Sequence, residues 1–165
     1  FEIAFEELKE ATANGKDVIE FLISMNPGEP VKPLGEIASG GELSRIMLAI
    51  KSVLADKDEI PTLIFDEIDL GISVRTAQKV SEKMKLIGNK HQIICITHLA
   101  QIAAMADTHF AIEKKVENGK TVTKIQELSE EESVRELARI LGGAEITDTV
   151  VKSAVEMKKL AKSIR

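Results

Sequence analysis

The chain has 165 residues, of which 44% are hydrophobic and 30% charged, and its formal net charge at pH 7 is −5. This size and balance predict one globular domain over residues 1–165, with a real hydrophobic core. The acidic balance argues against a nucleic-acid surface that extends over the whole chain, and no apolar run reaches the roughly 20 residues of a membrane span. No membrane partner is therefore expected.

The start of the chain, Phe1–Ala4, lacks the basic and then apolar pattern of a signal peptide, so a cytoplasmic location is expected. Because the first residue is not Met, we also expect that the chain begins partway through a longer protein. The single cysteine, Cys95, lies in an apolar run and is predicted to be a buried, inert thiol.

Strand signals come first along the chain. Residues 1–8 and 18–24 read as two strands around the turn at 13–16, which predicts an antiparallel pair. From Gly41 the spacing of apolar residues becomes helical, and the polar segment 56–59 is expected to end that helix.

A strand, a helix and a second strand follow, at residues 61–65, 73–87 and 92–97. Both strands are short apolar runs typical of parallel sheets, so the three elements form a predicted βαβ unit. Residues 111–115 and 121–128 then predict a hairpin with an Asn-Gly turn. Two helices, 130–141 and about 147–163, close the chain, and the first stops at Gly142-Gly143.

The glycine-rich segment Ser39-Gly40-Gly41-Glu42 stands at the start of the first helix. Ser39 is placed to cap this helix, and the two glycines leave backbone N–H groups unobstructed at its positive dipole end. Such an end can bind an anion such as a phosphate. Taken alone, the same residues also fit an ordinary Ser-capped helix after a loop.

Two carboxylates, Asp66 and Glu67, end the apolar strand 62–65. Ligands of open α/β sheets bind at the carboxyl ends of strands, where Asp66 could hold Mg²⁺ and Glu67 could polarise an attacking water. A solvated turn is the alternative for this pair. Beyond it, Ser73 could simply cap the next helix while Asp69 is solvated.

A histidine, His98, ends the second apolar strand, after Thr97. An imidazole at this position could reach a phosphate oxygen or the attacking water. His91 and His109 have no comparable companions and are expected to be surface or structural residues. The sequence also contains no G-x-x-x-x-G-K-[ST] loop, the usual cradle for nucleotide phosphates, which predicts part of a nucleotide-handling unit rather than all of it.

In this order and spacing, the glycine-rich segment, the pair of carboxylates and the histidine at the strand end resemble the second half of an ATP-binding-cassette ATPase head. Residues 38–42 (ASGGE) match the family's LSGGQ signature, 63–67 its Walker B strand, 68–72 its D-loop, and 97–98 its H-loop. Ala38 and Glu42 depart from the usual Leu and Gln. Glu at the last signature position is shared with the chromosome-maintenance branch, so it narrows the resemblance to that branch.

Within that branch, the strings at 26–30, 38–47, 65–73, 96–106 and 138–143 resemble the RecN family, bacterial double-strand-break repair ATPases related to SMC proteins. The resemblance implies an α/β P-loop NTPase fold, here its C-terminal lobe: a mostly parallel sheet flanked by helices, with an antiparallel hairpin. The P-loop and a coiled coil would lie outside this chain. It also implies ATP and Mg²⁺ as cofactors, DNA as a partner of the full-length protein, and a nucleoid-associated bacterial location.

The resemblance also implies roles for the site residues, across a homodimer of heads. Asp66 would support Mg²⁺, Glu67 would activate water, and His98 would contact the γ-phosphate. The signature residues would cap the ATP of the partner head; they are Ser39, Gly40, Gly41 and Glu42. The D-loop would be represented by Asp69 and Gly71, and Asp69 would couple the two ATP sites. The head's own N-terminal lobe would supply the P-loop, so this chain alone is expected to be inactive.

A fragment of another SMC-like head is one alternative, and two other functions fit parts of the sequence. Asp66, Glu67 and Asp69 could form the metal site of a toprim-like nuclease, although this leaves Ser39–Glu42 and His98 unexplained. Alternatively, the lobe could be a non-catalytic dimerisation or DNA-binding platform. Its basic residues would serve the platform: Lys79, Lys83, Lys85 and Lys90 around one helix, and Lys152, Lys158, Lys159, Lys162 and Arg165 at the C-terminus. Interspersed acids make each run resemble a solvated face.

Overall fold

A computed structural model describes residues 1–36, 39–55, 57, 59–117, 119–143 and 145–164. Its elements, in chain order, are β1 (Glu2–Thr12), β2 (Gly15–Ile23), β3 (Lys32–Pro33), α1 (Gly40–Leu54), β4 (Thr62–Phe65), α2 (Val74–Gly88), β5 (Gln92–Cys95), α3 (Ala100–Ala103), β6 (Phe110–Glu117), β7 (Lys120–Glu127), α4 (Glu130–Gly142) and α5 (Asp148–Ser163). A 3-10 helix, Leu34–Glu36, links β3 to α1.

The predicted strands and helices are confirmed, with ends that shift by a few residues. β3, α3 and the 3-10 helix were not predicted, because elements of two to four residues are too short to show a hydrophobic period. Ala38 of the signature, Asp56 and Asp58 of the predicted helix stop, Asn118 of the predicted turn, and Arg165 of the C-terminal basic run lie outside the described residues.

The strands of the described residues form three small sheets. β1, β2 and β3 are antiparallel, β4 and β5 are parallel, and β6 and β7 form an antiparallel hairpin. Parallel pairing among the described strands is therefore limited to β4 and β5, which is less than in the mostly parallel sheet that the resemblance implied. A parallel pair needs a long crossover, and α2 provides such a crossover between β4 and β5, whereas the other pairs are joined by short turns.

Two hydrophobic clusters hold the elements together. The first joins α1 and α2 to the β4–β5 sheet and includes Leu48, Phe65, Ile68 and Met84. The second joins α3 to the α4–α5 pair through small residues such as Ala103 and Ala138 around Leu137. The first cluster lies directly beneath the ends of β4 and β5, so it fixes the positions of the loops that follow these strands.

Side-chain caps set the starts of three helices. Ser73 accepts a hydrogen bond from the Thr76 amide at the start of α2, which confirms it as a cap. Ser129 and Glu132 form a reciprocal capping box at the start of α4, and Thr147 accepts from the Val150 amide at α5. These contacts satisfy amide groups that the first helical turn leaves unpaired.

Two apolar faces of the sheets are exposed. One face of the β1–β2 hairpin carries Phe5 opposite Ile19 and Ile3 opposite Phe21, all exposed. On the β4–β5 sheet, the exposed residues are Ile64 at 67%, Ile94 at 44% and, just after β5, Ile96 at 50%. Parallel sheets are normally covered on both faces, so this side of the sheet is a surface that another part of a protein can cover.

Among the described residues, no helix is both long and apolar enough to cross a membrane.

Candidate functional site

The ends of β4 and β5 form one edge of the parallel sheet. Phe65 lies opposite Cys95 in the register, and the amide of Ile96 donates to the Phe65 carbonyl at 3.0 Å. Asp66 and Glu67 continue from β4 at this edge, and Thr97 and His98 continue from β5. The structure therefore brings together the predicted Walker B and H-loop residues.

The backbone turns sharply at Glu67. Its φ is 56°, which makes it the one described residue other than glycine with a positive φ. The amide of Leu70 donates to the Glu67 carbonyl at 2.9 Å and closes the turn. Left-handed backbone is costly for a residue with a Cβ, and such strain is concentrated at functional sites.

Helix α1 is bound to the loop that follows Glu67. The Ser44 hydroxyl donates to the Asp66 carbonyl at 2.9 Å, and one nitrogen of the Arg45 guanidinium donates to the carbonyls of Ile68 and Leu70, each at 3.0 Å. These side chains satisfy main-chain acceptors in a segment without regular structure. They also fix the first turns of α1 against the strand-end carboxylates.

The two glycines at the start of α1 allow this close approach. A Cβ on Gly41 would lie 2.7 Å from the Glu67 carbonyl oxygen and 3.2 Å from the Leu70 Cβ. A Cβ on Gly40 would lie 2.8 Å from Oε2 of Glu67. The Glu67 carboxylate therefore lies beside the positive end of α1 in the same lobe, where a negative charge is favoured.

Asp69 is buried, with 4% of its surface exposed, which contradicts the expectation that it is solvated. Its Oδ2 accepts from the Thr97 hydroxyl at 2.5 Å and from the His98 amide at 3.0 Å, and it lies 3.2 Å from His98 Nδ1. Burial by itself would raise the pKa of Asp69. The two hydrogen bonds and the charge of His98 outweigh burial and hold this pKa below its ordinary value.

The remaining predicted site residues lie around this edge. Asp66, Glu67 and Gly71 are exposed, and the His98 side chain is 71% exposed. Gly71 has a φ of +73°, a conformation that suits glycine. Glu42 is half-buried in the first turn of α1. The roles implied for these residues stay predictions, including coupling of the two sites by Asp69 across a dimer.

Ser39 occupies the N-cap position of α1, as predicted. Its backbone is extended, but its side chain makes no capping hydrogen bond within the described part of the chain. The prediction that Ser39 caps the helix through its hydroxyl is therefore wrong. Within the described residues, the Ser39 hydroxyl therefore does not satisfy the first amides of α1.

Sequence reasoning missed two side chains that organise the site, Ser44 and Arg45, and placed Thr97 in the H-loop without its hydrogen bond to Asp69. Ser44 and Arg45 lie between apolar positions of α1 and look like ordinary surface residues. Their position on the helical turn next to the two glycines was the available signal, because it puts them beside whatever packs against those glycines.

The two other histidines and the cysteine are not among the predicted site residues. His91 is buried, with its ring nitrogens 2.8 and 3.1 Å from the carbonyl oxygens of Ile60 and Ala55. His109 contacts the Ser133 hydroxyl at 2.8 Å, and burial lowers the pKa of this histidine. Burial raises the pKa of the Cys95 thiol to about 12, which agrees with the prediction of an inert thiol.

The alternative sites receive less support from the geometry. Asp69 points to Thr97 and His98, so it does not join Asp66 and Glu67 in an acidic metal cluster. Several platform lysines are already engaged: Lys85 pairs with Asp107, Lys162 pairs with Glu130, and Lys158 is buried and donates to a carbonyl.

Comparison with known proteins identifies the family. No protein-family model matches the chain. The DNA repair protein RecN of Halalkalibacterium halodurans is 47% identical over 100% of the chain, and the RecN of Bacillus subtilis is 47% identical over 93% of it. The chain belongs to the RecN family. It spans 30% and 27% of the lengths of these two RecN proteins.

Solved structures agree with the RecN assignment. The Smc head domain of Pyrococcus yayanosii, solved with a coiled coil and joint, is 27% identical with a TM-score of 0.54, and the match covers 75% of this chain and 22% of that chain. The Smc head domain of Pyrococcus furiosus, solved with a ScpA domain, is 28% identical with a TM-score of 0.51 over 78% of this chain and 30% of that chain. The chain thus has the fold of part of an SMC-type head, which confirms the predicted P-loop NTPase class.

Proposed function

We propose that this chain is the C-terminal lobe of the ATP-hydrolysing head of a RecN-type DNA double-strand-break repair protein. The observation that carries the proposal is the edge at which Asp66, Glu67 and His98 lie together, fixed to the glycine start of α1 by Ser44 and Arg45. Binding of ATP and DNA is proposed for the full-length protein, of which this chain would be one lobe.

Asp66 is the residue that would support Mg²⁺. Its carboxylate is exposed at the end of β4, and no group of three His, Cys, Asp or Glu side chains gathers to hold a metal within the described ranges. This sparse donor set fits Mg²⁺, which binds through one or two carboxylates, several waters and the phosphates of its nucleotide. When bound, Mg²⁺ would neutralise charge that develops on those phosphates.

Glu67 and His98 would act on the attacking water and the γ-phosphate. The Glu67 carboxylate is exposed, so it can accept a hydrogen bond from a water and orient it for in-line attack. The imidazole of His98 is also exposed, and in its imidazolium form, with both ring nitrogens protonated, it can donate a hydrogen bond to a phosphate oxygen.

The start of α1 would serve a second nucleotide, held by the partner head. The amides of Gly40 and Gly41 and the hydroxyl of Ser39 lie at the positive helix end, where the described residues show no capping hydrogen bond of Ser39, and these groups can bind the γ-phosphate in trans. Glu67 now lies beside Gly40. We therefore infer that binding of a phosphate at this helix end displaces the Glu67 carboxylate, because two anions repel at this distance.

The lobe that carries the P-loop would cover the exposed face of the β4–β5 sheet. Ile64, Ile94 and Ile96 form this face, and β4–β5 is parallel, the kind of sheet that is normally buried on both sides. The chain spans less than a third of its RecN relatives, so the remaining length of such a protein is sufficient for a second lobe.

A reconstitution experiment tests the proposal. ATP binding and hydrolysis would be measured for this chain alone, for a separately expressed P-loop lobe, and for their mixture, with wild-type and Glu67→Gln chains. We expect hydrolysis in the wild-type mixture and ATP binding without hydrolysis in the Glu67→Gln mixture. Association of the lobes without any activity would instead favour a non-catalytic platform, and hydrolysis by this chain alone would contradict the proposed division of the site.

A further inference from the structure

Asp69 contacts the loop after β5 three times through a single oxygen. Oδ2 accepts from the Thr97 hydroxyl and the His98 amide and lies 3.2 Å from His98 Nδ1. The side chain of Asp69 is 3% exposed, whereas that of His98 is 71% exposed. A buried carboxylate thus holds an exposed imidazole from its inner side.

This arrangement determines which imidazole nitrogen faces outward. An ionised carboxylate only accepts hydrogen bonds, so the nitrogen nearest to it, Nδ1, must carry the hydrogen. Nε2 is then the nitrogen on the solvent side, where it can donate to a phosphate oxygen in the imidazolium form and accept from a water in the neutral form. A carboxylate behind an imidazole fixes the tautomer and the ring plane in the same way in metal and hydrolase sites.

Thr97 completes the support. Its hydroxyl donates to Asp69 and accepts from the Leu99 amide at 3.0 Å, so it connects the carboxylate to the start of α3. The contacts of Asp69 therefore fix both the backbone and the side chain of His98, and they lie within one lobe.

We propose that Asp69 is a positioning residue for His98: in its own lobe it fixes the imidazole with Nε2 toward the γ-phosphate. This inference rests on the proposed function and gives Asp69 a role different from coupling across the dimer. The loop between Ile68 and Ser73 can still contact a partner head through its exposed residues Leu70 and Gly71, because neither takes part in these hydrogen bonds of Asp69.

The test is a double-mutant cycle in the full-length protein. Asp69→Asn removes the charge with little change of shape, and Thr97→Val removes one hydrogen bond to the carboxylate. Each is made in the wild type and in His98→Ala, and hydrolysis is followed in steady-state and single-turnover assays. Asp148→Asn, an exposed aspartate in the first turn of α5, is the matched control and should retain wild-type rates.

We expect Asp69→Asn to lower kcat about 10- to 100-fold, by analogy with residues that orient metal-binding histidines, with a smaller change of KM. Thr97→Val should act in the same direction and more weakly. In the His98→Ala background, neither change should have a further effect, because the group on which they act is absent. Equal losses in both backgrounds, or no loss in the wild type, would overturn the inference.

Glu67→Gln is measured alongside, so that failure of the positioning role can be distinguished from failure of the proposed function. If Glu67→Gln abolishes hydrolysis while the Asp69 and Thr97 changes act independently of His98, the positioning role fails and the proposed function stands. If the wild-type protein does not hydrolyse ATP, or if Glu67→Gln hydrolyses it at the wild-type rate, both fail. Thr97→Val keeps the buried carboxylate, so the cycle can be completed even when Asp69→Asn is poorly folded.

Discussion

The hydroxyl of Ser44 donates a hydrogen bond to the main-chain carbonyl of Asp66 at 2.9 Å. This contact joins the helix proposed to bind the partner's nucleotide to the backbone of Asp66, the residue proposed to support Mg²⁺ at the head's own nucleotide. Arg45, the next residue, extends the contact to Ile68 and Leu70. The two ATP sites of a dimer would therefore share one rigid unit in each head.

Arg45→Lys should weaken this unit. A single nitrogen of the guanidinium donates to both carbonyls at 3.0 Å, whereas a lysine ammonium on a flexible stem does not reproduce the fixed position. We expect a loss of about 1–2 kcal/mol in the free energy of unfolding and roughly tenfold slower hydrolysis in the full-length protein. The measurements are urea unfolding and ATPase assays. Arg75→Lys on the exposed start of α2 is the control, and identical behaviour of the two variants would contradict the prediction.

Gly41→Ala should be destabilising despite its position in a helix. The new methyl group would meet the Glu67 carbonyl oxygen at 2.7 Å, so α1 or the loop must shift, at a cost of about 1–3 kcal/mol. Gly88→Ala is the matched control, because its Cβ would lie 3.7 Å from the Ile93 side chain, an ordinary contact. The measurement is thermal unfolding of both variants. A melting temperature of Gly41→Ala at or above that of Gly88→Ala would contradict the close contact between Gly41 and the Glu67 carbonyl.

Serine substitutions should separate a structural cap from a ligand-binding residue. Ser129 closes a capping box at α4, so Ser129→Ala should cost about 1 kcal/mol of stability. Ser39→Ala should cost much less, because no capping hydrogen bond of Ser39 is described. Ser39→Arg should leave the melting temperature near that of the wild type but abolish hydrolysis, since a bulky cation would obstruct closure of the heads. Normal ATPase activity of Ser39→Arg would place the trans site elsewhere.

The stability of the protein should fall on mild acidification, in part because of His109. Burial lowers the pKa of this histidine, and the nearby positive charge of Lys158 lowers it further. The unfolded chain therefore takes up the proton first, so stability is complete above about pH 6.5 and decreases as the pH falls through the lowered folded pKa.

The pH dependence can be assigned by a matched variant. His109→Asn keeps a polar group near Nδ1, which contacts Ser133 at 2.8 Å, but it does not titrate. Urea unfolding at pH 7.5 and pH 5 should show a smaller decrease in stability for His109→Asn than for the wild type. Equal decreases would show that His109 does not contribute to the acid sensitivity.

The sequence predicted the parts of the site that depend on local pattern. The strands before Asp66 and His98 were found because apolar runs of this length are typical of buried strands, and parallel pairing then put both ends at one edge. The burial of Asp69 was not predicted, because it depends on Thr97, 28 residues later in the chain. The pairs β1–β2, β4–β5 and β6–β7 were predicted from their turns and crossover, but β3 was not, because a strand of two residues shows no hydrophobic period.

The backbone at Glu67 has a consequence for any attempt to engineer this protein. A left-handed residue with a Cβ lowers stability by about 1–2 kcal/mol, and glycine would relieve that cost. Position 67 is therefore an obvious target for a stabilising substitution, and Glu67→Gly should raise the melting temperature. The same change removes the carboxylate proposed to orient water. A selection for thermal stability alone would thus favour an inactive head, so such screens need an activity readout at every round.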